Sequence, residues 1–286
     1  MKNIKFLFAA ILVSLFLTRC DYVTPKKSTV VIDTAIVYQR NILIEDYTGQ
    51  KCGNCPYAAY NLDSTIIMTY GSKIIPIAVH AGYFAIPDLS GFYTKDYRTS
   101  AGTTWDGWFN MSSNGNPAGM VNRQDFLAVT NHKQFTDWYG IATNILANLP
   151  TMNIKITNSY DSTSRNVTSK ITSKFLQQLD STYMLSVVLT EDTIIGNQDE
   201  YIPYNTGNAV NLPNYVFNHM LRASFNGAWG DTLSTGPHAI NDSIPKTYNL
   251  TLNSNFVAKH CNVIAFIYNS VTYEVVQAEI ARVTTQ

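Results

Sequence analysis

The sequence predicts an α/β domain followed by an all-β sandwich domain, in an exported protein of 286 residues. Three observations support this prediction. A short apolar segment close to the N-terminus has the length of a signal-peptide core. Strand-like and helix-like segments alternate over residues 41–150, which indicates a small α/β sheet. From residue 151 onward, short segments of alternating polar and apolar residues, separated by polar turns, indicate a β-sandwich.

The N-terminal residues 1–19 are predicted to be a lipoprotein signal peptide. Two lysines precede the apolar residues 6–17, a run too short to span a bilayer but suited to a signal-peptide core. Cys20 follows with Leu17 three residues before it, which resembles a bacterial lipobox, although Arg19 departs from the usual small residue. We expect cleavage before Cys20, acylation of that cysteine and attachment to a membrane. Simple secretion and an uncleaved anchor are the alternatives.

Residues 20–40 are expected to be a lipidated tether, because they are polar, contain proline and precede the first buried strand. Twenty basic residues balance twenty acidic ones, so the chain lacks the basic surface expected of a nucleic-acid-binding protein. With Cys20 acylated, three cysteines remain, and this odd number argues against a disulfide scaffold. Outside the cytoplasm, the close pair Cys52 and Cys55 is expected to be oxidised.

The first predicted domain contains buried strands and amphipathic helices. Apolar runs indicate the strands, and apolar residues at three- and four-residue spacing indicate the helices. Trp105 and Trp108 lie one helical turn apart and are expected to pack in the core. The predicted strands are residues 42–46, 74–80 and 118–121, and the predicted helices are residues 57–68, 94–108 and 132–149.

The second predicted domain contains five to eight short strands. Cys261 stands at the head of one of them and is expected to be a small buried residue. Residues 192–246, rich in Asn, Gly and Pro, are expected to form long loops at one end of the sandwich, where binding sites commonly lie. The predicted strands are residues 152–157, 167–175, 184–190, 248–252, 263–268 and 275–283.

Cys52 and Cys55 form a C-x-x-C motif between the first predicted strand and the first predicted helix. A helix N-terminus presents free N–H groups and the positive end of the helix dipole, both of which stabilise a thiolate. A zinc site is a poor interpretation, since the sequence has no second C-x-x-C and no His pair at suitable spacing. No phosphate loop or other cofactor motif is present, and we expect no cofactor.

The motif and its surroundings resemble the active-site stretch of the thioredoxin fold. The matching segment is D-Y-T-G-Q-K-C-G-N-C at residues 46–55. Members of that fold have a buried acidic residue six positions before the first cysteine, a place that Asp46 occupies here. They also place a cis-proline opposite the dithiol at the start of a later strand, and Pro117 matches it in order and context. Asn54 and Lys51 stand where that family usually has Pro and Trp.

The resemblance implies thiol–disulfide exchange with protein or peptide substrates that carry thiols or disulfides. Cys52 is expected to lie nearer to solvent and to attack, and Cys55 to resolve the mixed disulfide. Asp46 would exchange a proton with Cys55, and Pro117 would expose backbone for a substrate peptide. The alternative is a structural disulfide in a fold without activity.

Two further residues are candidate modulators of this site. Lys51 adds a positive charge beside Cys52, which favours the thiolate. His80 ends the central predicted strand, on the edge where such folds carry their sites. An ordinary hydrogen bond at a strand end is the alternative role for His80.

Across both predicted domains, the chain resembles the Bacteroidetes outer-membrane lipoproteins related to the twenty-eight-kilodalton surface antigen. The matching segments are L-I-E-D-Y-T-G-Q-K-C-G-N-C-P at residues 43–56, H-A-G at residues 80–82 and N-H-M-L-R-A-S at residues 218–224. The resemblance implies a thioredoxin-like domain over residues 41–150 and an immunoglobulin-like sandwich over residues 151–286. It also implies an outer-membrane lipoprotein, periplasmic or surface-exposed, and adhesion roles have been proposed for that family.

Two functions from different classes therefore remain open. The first is an envelope thiol–disulfide oxidoreductase that acts through Cys52 and Cys55. The second is a non-catalytic surface binding or adhesion lipoprotein in which the C-x-x-C is a structural disulfide.

Overall fold

The computed structural model describes residues 37–124 and 134–284. The predicted signal peptide, Cys20 and all but the last residues of the predicted tether lie outside the described residues. The start of the helix predicted over residues 132–149 lies outside them as well. From Tyr38 onward the chain forms one compact unit.

The described residues form thirteen strands, several short helices and 3₁₀ turns. The helices are α1 (Cys55–Asn61), α2 (Met68–Tyr70), α3 (Ser100–Phe109) and α4 (Trp138–Leu146), and a π-helical turn (Leu62–Ile67) joins α1 to α2. The first strands are β1 (Ile42–Thr48), β2 (Ile74–His80), β3 (Ala118–Val121), β4 (Met152–Asp161), β5 (Asn166–Phe175), β6 (Tyr183–Glu191) and β7 (Ile194–Tyr201). The remaining strands are β8 (Ala209–Phe217), β9 (Met220–Ser224), β10 (Asp231–Ser234), β11 (Ser243–Thr251), β12 (Cys261–Asn269) and β13 (Val275–Arg282).

One large sheet crosses the molecule in the strand order β13-β12-β6-β9-β2-β1-β3, and β10 pairs with β6 beside β9. Strands β1 and β2 are parallel along their whole length, and β3 lies antiparallel to β1. Strand β9 connects the two ends of the sheet, because it pairs with β2 on one side and β6 on the other. Strands from before and after residue 150 therefore share one sheet, and the division into two domains there stays a prediction.

Strand β1 is buried at every residue because both of its faces are covered. Ile42 and Ile44 point to a core shared with α1 and α4. Leu43 and Tyr47, on the opposite face, pack with Trp105 of α3. This two-sided burial explains the nearly continuous apolar sequence of β1 and β2.

A second sheet, of order β11-β5-β4, covers the other half of the large sheet. Its apolar side chains, such as Ile171 and Phe175, share a core with Leu185 and Val187 of β6 and Val263 of β12. Strand β5 alternates buried and less buried residues, as expected for a sheet with one covered face. The observed fold is mainly β, with a few helices and several sheets.

Strands β7 and β8 form a separate two-stranded hairpin. The prediction that residues 192–246 form long loops is wrong, because they contain β7, β8, β9, β10 and the start of β11. The polar Asn-rich composition that suggested loops is compatible with strands here, since most residues of β8 are only partly covered.

A buried ion pair ties β1 to the turn after β3. Arg123 donates two hydrogen bonds to Glu45, at 2.8 Å and 2.7 Å, and both side chains are fully buried. The guanidinium lies 4.9 Å from the ring centroids of both Phe109 and Phe266. Because Phe109 belongs to α3 and Phe266 to β12, this pair joins elements that are distant in the sequence.

The predicted strands of the first half agree with β1, β2 and β3, whereas the helices differ from their predicted bounds. Helix α3 begins at Ser100 rather than near residue 94, because Thr99 caps it by accepting a hydrogen bond from the Gly102 N–H at 3.0 Å. Trp105 is fully buried as predicted, but Trp108 is 54% exposed and does not pack in the core.

Candidate functional site

The Cys52–Cys55 pair lies where the first strand ends and the first helix begins. Strand β1 ends at Thr48, and the Cys52 N–H then donates to the Gly49 carbonyl at 2.9 Å to form a turn. A Cβ atom at Gly49 would lie 2.5 Å from the carbonyl carbon of Phe84, so this close approach requires glycine. Helix α1 begins at Cys55, with Pro56 in its first turn.

Cys52 and Cys55 form a disulfide bond with a Cα–Cα distance of 5.4 Å. Their exposed fractions are 2% and 3%. The prediction that Cys52 lies nearer to solvent than Cys55 is therefore wrong for this disulfide form. A distant segment of the chain covers both cysteines, and the sequence does not predict this cover.

The cover is the β7–β8 hairpin, which lies against the C-x-x-C turn. The Tyr201 N–H donates to the Gly53 carbonyl at 2.7 Å, and the Asp199 N–H donates to the Gln50 carbonyl at 2.9 Å. The Tyr201 ring sits on Gly53, where an added Cβ would lie 2.3 Å from a ring carbon. Strand β7 thus pairs with β8 through one edge and bonds to the C-x-x-C turn through its backbone N–H groups.

The buried Gln198 side chain reinforces this contact. Its amide nitrogen donates to the Cys52 carbonyl at 3.0 Å and to the Gly49 carbonyl at 3.4 Å. At the other end of the turn, Asn54 and Asn205 bond to each other through side chain and backbone. The hairpin is therefore held by polar bonds at both ends of the C-x-x-C turn.

Asp46 lies next to the disulfide on the face of β1 that packs against α1. Asp46 and Cys55 line a common cavity of about 30 Å³, which is enough for one water molecule. The Asp46 side chain is buried, and its Oδ1 atom has no hydrogen-bond partner among the described residues. Burial and then the negative charge of Asp63 raise the pKa of Asp46 to about 7, against the opposing effect of His219. Asp46 therefore titrates near neutral pH.

His80 lines the same cavity, at the end of β2. Its ring packs edge-on against Tyr97 and Phe217, with centroids 5.3 Å and 5.4 Å away. Burial, followed by the positive charge of Arg222, lowers the pKa of His80 to about 3. His80 is thus a neutral imidazole beside Asp46 and Cys55.

The two other predicted site residues lie at the margin of this arrangement. The Lys51 ammonium forms an ion pair with Asp88 at 2.7 Å, so its charge is shared with a carboxylate. Pro117 follows a cis peptide bond and directly precedes β3, where Ala118 pairs with Tyr47 of β1. Its place at the start of β3 is the one predicted, while the lining of the cavity shared by Asp46 and Cys55 does not include it.

His219 is a component of the site that sequence reasoning missed. It lies between β8 and β9 and contacts Asp63 at 3.0 Å and Asp192 at 3.3 Å. Burial alone would lower its pKa, but hydrogen bonds and charges from Asp192 and Asp63 raise it to about 9. Asp46, Asp63 and His219 line a second cavity of about 40 Å³. In the sequence, His219 stands out only as part of the N-H-M segment that carries the family resemblance.

The described helices include none that is long and apolar enough to cross a membrane. Within residues 37–124 and 134–284, no group of three or more His, Cys, Asp or Glu side chains is placed to hold a metal ion.

These features define a mainly β protein with a covered C-x-x-C disulfide beside a buried carboxyl group. The chain belongs to the family described as outer membrane protein Omp28, whose sequence model matches residues 108–286. This match confirms the family resemblance and places the protein among outer membrane proteins. The matched residues include the covering hairpin and begin after the disulfide.

Two solved structures show partial similarity. A domain of the outer membrane lipoprotein Omp28 from Porphyromonas gingivalis is 20% identical, with 49% of this chain and 93% of that chain covered and a TM-score of 0.33. A penta-heme cytochrome c552 from Thermochromatium tepidum is 10% identical, with 46% and 39% covered and a TM-score of 0.23. None of the curated proteins matches this chain.

Proposed function

We propose that the protein is an envelope lipoprotein that exchanges thiols and disulfides through Cys52 and Cys55. The observation that supports this most directly is the neighbouring Asp46, a buried carboxyl group with an unpartnered oxygen and a pKa near 7. A disulfide that only stabilises a fold does not need such a group, whereas exchange requires a proton donor and acceptor at working pH. The placement of the motif between β1 and α1 agrees with the thioredoxin-like resemblance.

In the proposed exchange, two electrons pass from two substrate thiols to the Cys52–Cys55 disulfide. A substrate thiolate attacks Cys52 Sγ, the Cys52–Cys55 bond breaks, and a Cys52–substrate bond forms. Cys55 leaves as a thiolate and takes the proton of Asp46. A second substrate thiolate then attacks the substrate sulfur of the mixed disulfide and releases Cys52 as a thiolate. The substrate is oxidised to a disulfide, the pair is reduced to a dithiol, and a disulfide-bearing protein of the envelope is needed to reoxidise it.

Insulin reduction with dithiothreitol tests the exchange. We expect the full chain to accelerate insulin precipitation, Cys52→Ser to abolish the acceleration, and Asp46→Asn to slow it most at neutral pH. Cys261→Ser is the matched control, because Cys261 is buried elsewhere and burial raises the pKa of its thiol to about 12. Equal rates with the full chain and with Cys52→Ser would exclude exchange.

A second candidate function is a surface binding lipoprotein in which the disulfide is structural. The burial of both cysteines beneath the hairpin favours it. The reduction potential of the pair separates the two functions. A value below about −300 mV, with slow labelling by thiol reagents, indicates a structural bond, and a value in the range of known exchangers, roughly −270 to −120 mV, indicates exchange. For the binding function, Cys52→Ser is expected to leave attachment to host cells unchanged.

We also propose that Cys20 is acylated after cleavage of residues 1–19 and that residues 20–40 are the tether. Under this proposal residues 41–150 form a thioredoxin-like part and residues 151–286 an immunoglobulin-like part. Cys20→Ala is expected to move the protein from the membrane fraction to the soluble fraction. If the Cys20→Ala protein stays in the membrane fraction, the lipid anchor is excluded.

A further inference from the structure

An open groove of about 600 Å³ lies between helix α1 and the β7–β8 hairpin, next to the disulfide. The helix contributes Pro56 and Tyr60 to the groove, and the hairpin contributes Tyr215 and Val216. Tyr60 is 73% exposed and Val216 is 45% exposed, so the groove presents apolar surface to solvent.

We propose that this groove binds an extended polypeptide segment in which a Lys or Arg side chain is flanked by apolar residues. That the bound segment belongs to a substrate of Cys52 and Cys55 rests on the exchange function. That the groove binds such a segment does not rest on it, and peptide binding tests this part by itself.

The charge of the groove selects a basic side chain. Asp63 of the π-helical turn and Glu200 of β7 line the groove, and its lining includes no Lys, Arg or His. Asp63 shares its charge with His219, whereas Glu200 has no ion pair among the described residues. After burial, the negative charges of Asp46, Asp63 and Glu200 raise the pKa of Tyr215. The surroundings of Tyr215 are thus negative, and a cation would be attracted to them.

The edge of β8 favours an extended polypeptide over a small cation. Among the described strands, β8 pairs with β7 alone, so its other edge has no strand partner. Tyr215 and Val216 are consecutive but both line the groove. Because successive side chains of a strand point to opposite faces, the groove reaches an edge of β8, while Glu200 extends it onto β7. A free strand edge pairs with an extended chain through backbone hydrogen bonds.

Tyr215 and Pro56 also connect the groove to the disulfide. Both residues line the groove and the small cavity that contains Cys55 and Asp46. Tyr215 therefore stands between the groove and Cys55. A segment bound along β8 would lie on the solvent side of Tyr215 and next to Pro56, the residue that follows Cys55.

The proposal is tested with short synthetic peptides of alternating Val and Thr around a central Lys, labelled with a fluorophore and bound to the full chain. A second peptide carries Glu in place of Lys, and a third has N-methyl groups on alternate backbone nitrogens. We expect the Lys peptide to bind about five-fold tighter than the Glu peptide and more weakly at high salt. N-methylation is expected to remove binding, because it blocks pairing with a strand edge.

Variants of the full chain locate the binding. Glu200→Gln is expected to weaken binding of the Lys peptide by about five-fold, and Tyr60→Ala is expected to weaken it for all peptides. Asp180→Asn is the matched control, since Asp180 is an exposed carboxylate that does not line the groove. Equal affinities for the Lys and Glu peptides, or unchanged affinity in Glu200→Gln, would overturn the proposal. The proposal is also overturned if the full chain binds no peptide but self-associates, and if Glu200→Gln removes this self-association. In that case the groove binds a second copy of this chain.

The same peptides separate this proposal from the exchange function. Binding is measured with the disulfide closed and again in the Cys52→Ser/Cys55→Ser variant, where we expect it to persist. If insulin reduction fails and peptide binding persists, the groove remains a binding site and only the exchange is excluded. If insulin reduction succeeds and no peptide binds, the groove proposal is wrong and the exchange stands.

Discussion

Asp46 makes the stability of the fold depend on pH. Its pKa is about 7 in the folded protein, well above the ordinary value of 3.8. The folded state thus binds more protons than the unfolded state between these values, and stability falls as pH rises through them. We expect Asp46 alone to contribute a loss of up to about 4 kcal/mol between pH 4 and pH 8. The shifted pKa values of His80 and His219 also make stability depend on pH in this range, so the contribution of Asp46 is measured as the difference between the wild type and Asp46→Asn in urea unfolding at both pH values.

Asp46→Asn should remove the contribution of Asp46, because an amide does not titrate. Between pH 4 and pH 8 the variant is expected to lose about 4 kcal/mol less stability than the wild type, and to exceed the wild type at pH 8. Asp180→Asn, at an exposed site, should keep the wild-type profile. Parallel pH profiles for the wild type and Asp46→Asn would show that Asp46 is not the titrating group.

At the scale of single residues, much of the candidate site was predictable. The C-x-x-C and the acidic residue before it are local in the sequence, and the pairing of β1 with β2 brings His80 to the same place. Gln198, Tyr215 and His219 carry no local signal, because their roles depend on a hairpin folded back from far along the chain. These three residues could not be predicted because they are far in sequence from the residues that they contact.

The β7–β8 hairpin controls access to the disulfide, and Tyr201 is the side chain that covers Gly53. Tyr201→Ala keeps the backbone bond to Gly53 but removes the ring. We expect the disulfide to be reduced by dithiothreitol several-fold faster, as measured by maleimide labelling of the released thiols. Tyr204→Ala is the control, since the Tyr204 ring packs on Tyr57 of α1. If both variants are reduced at the wild-type rate, the Tyr201 ring does not limit access.

The buried Glu45–Arg123 pair links β1 to the turn after β3, and removal of one partner leaves an unpaired buried charge. Arg123→Met is therefore expected to destabilise the fold by about 3–5 kcal/mol in urea unfolding. Arg98→Met should cost less than about 1 kcal/mol, because the Arg98–Asp96 pair is exposed. Similar losses in the free energy of unfolding for both variants would mean that the buried Glu45–Arg123 pair contributes no more to stability than the exposed Arg98–Asp96 pair.

At the scale of elements, the strands with both faces covered were the easiest to predict. Their continuous apolar runs set β1 and β2 apart from any surface segment. The hairpin was missed because β8 alternates weakly and contains Pro213 and two Asn residues, which favour loops. Such a strand forms because β7, itself bonded to the C-x-x-C turn, supplies its hydrogen-bond partners.

The shared sheet predicts how the whole molecule unfolds. Leu43 and Ile77 from the first half pack in one core with Val188 and Phe266 from the second. We expect a single calorimetric transition in which the calorimetric and van't Hoff enthalpies agree. Phe266→Ala should lower the midpoint of that one transition, at a cost of about 3–5 kcal/mol. Two transitions, of which Phe266→Ala lowers the midpoint of only one, would mean that the halves unfold independently.

The sequence indicated the change in composition near residue 150 but not the connection across it. The connection depends on β9, which contributes a single parallel pair, Ala78 with Met220, to β2. A contact of one residue pair is too short to produce a periodic pattern in the sequence. The pairing of β6 with β12 is equally non-local and depends on burial of both faces of both strands.

The disulfide and the hairpin that covers it are far apart in the sequence, so the two cysteines are synthesised well before the hairpin. Gln198, which bonds to the Cys52 carbonyl, follows that cysteine by 146 residues. A polypeptide that emerges N-terminus first presents both thiols before the hairpin has emerged. Until residues 194–217 emerge and fold over them, Cys52 and Cys55 are open to oxidation.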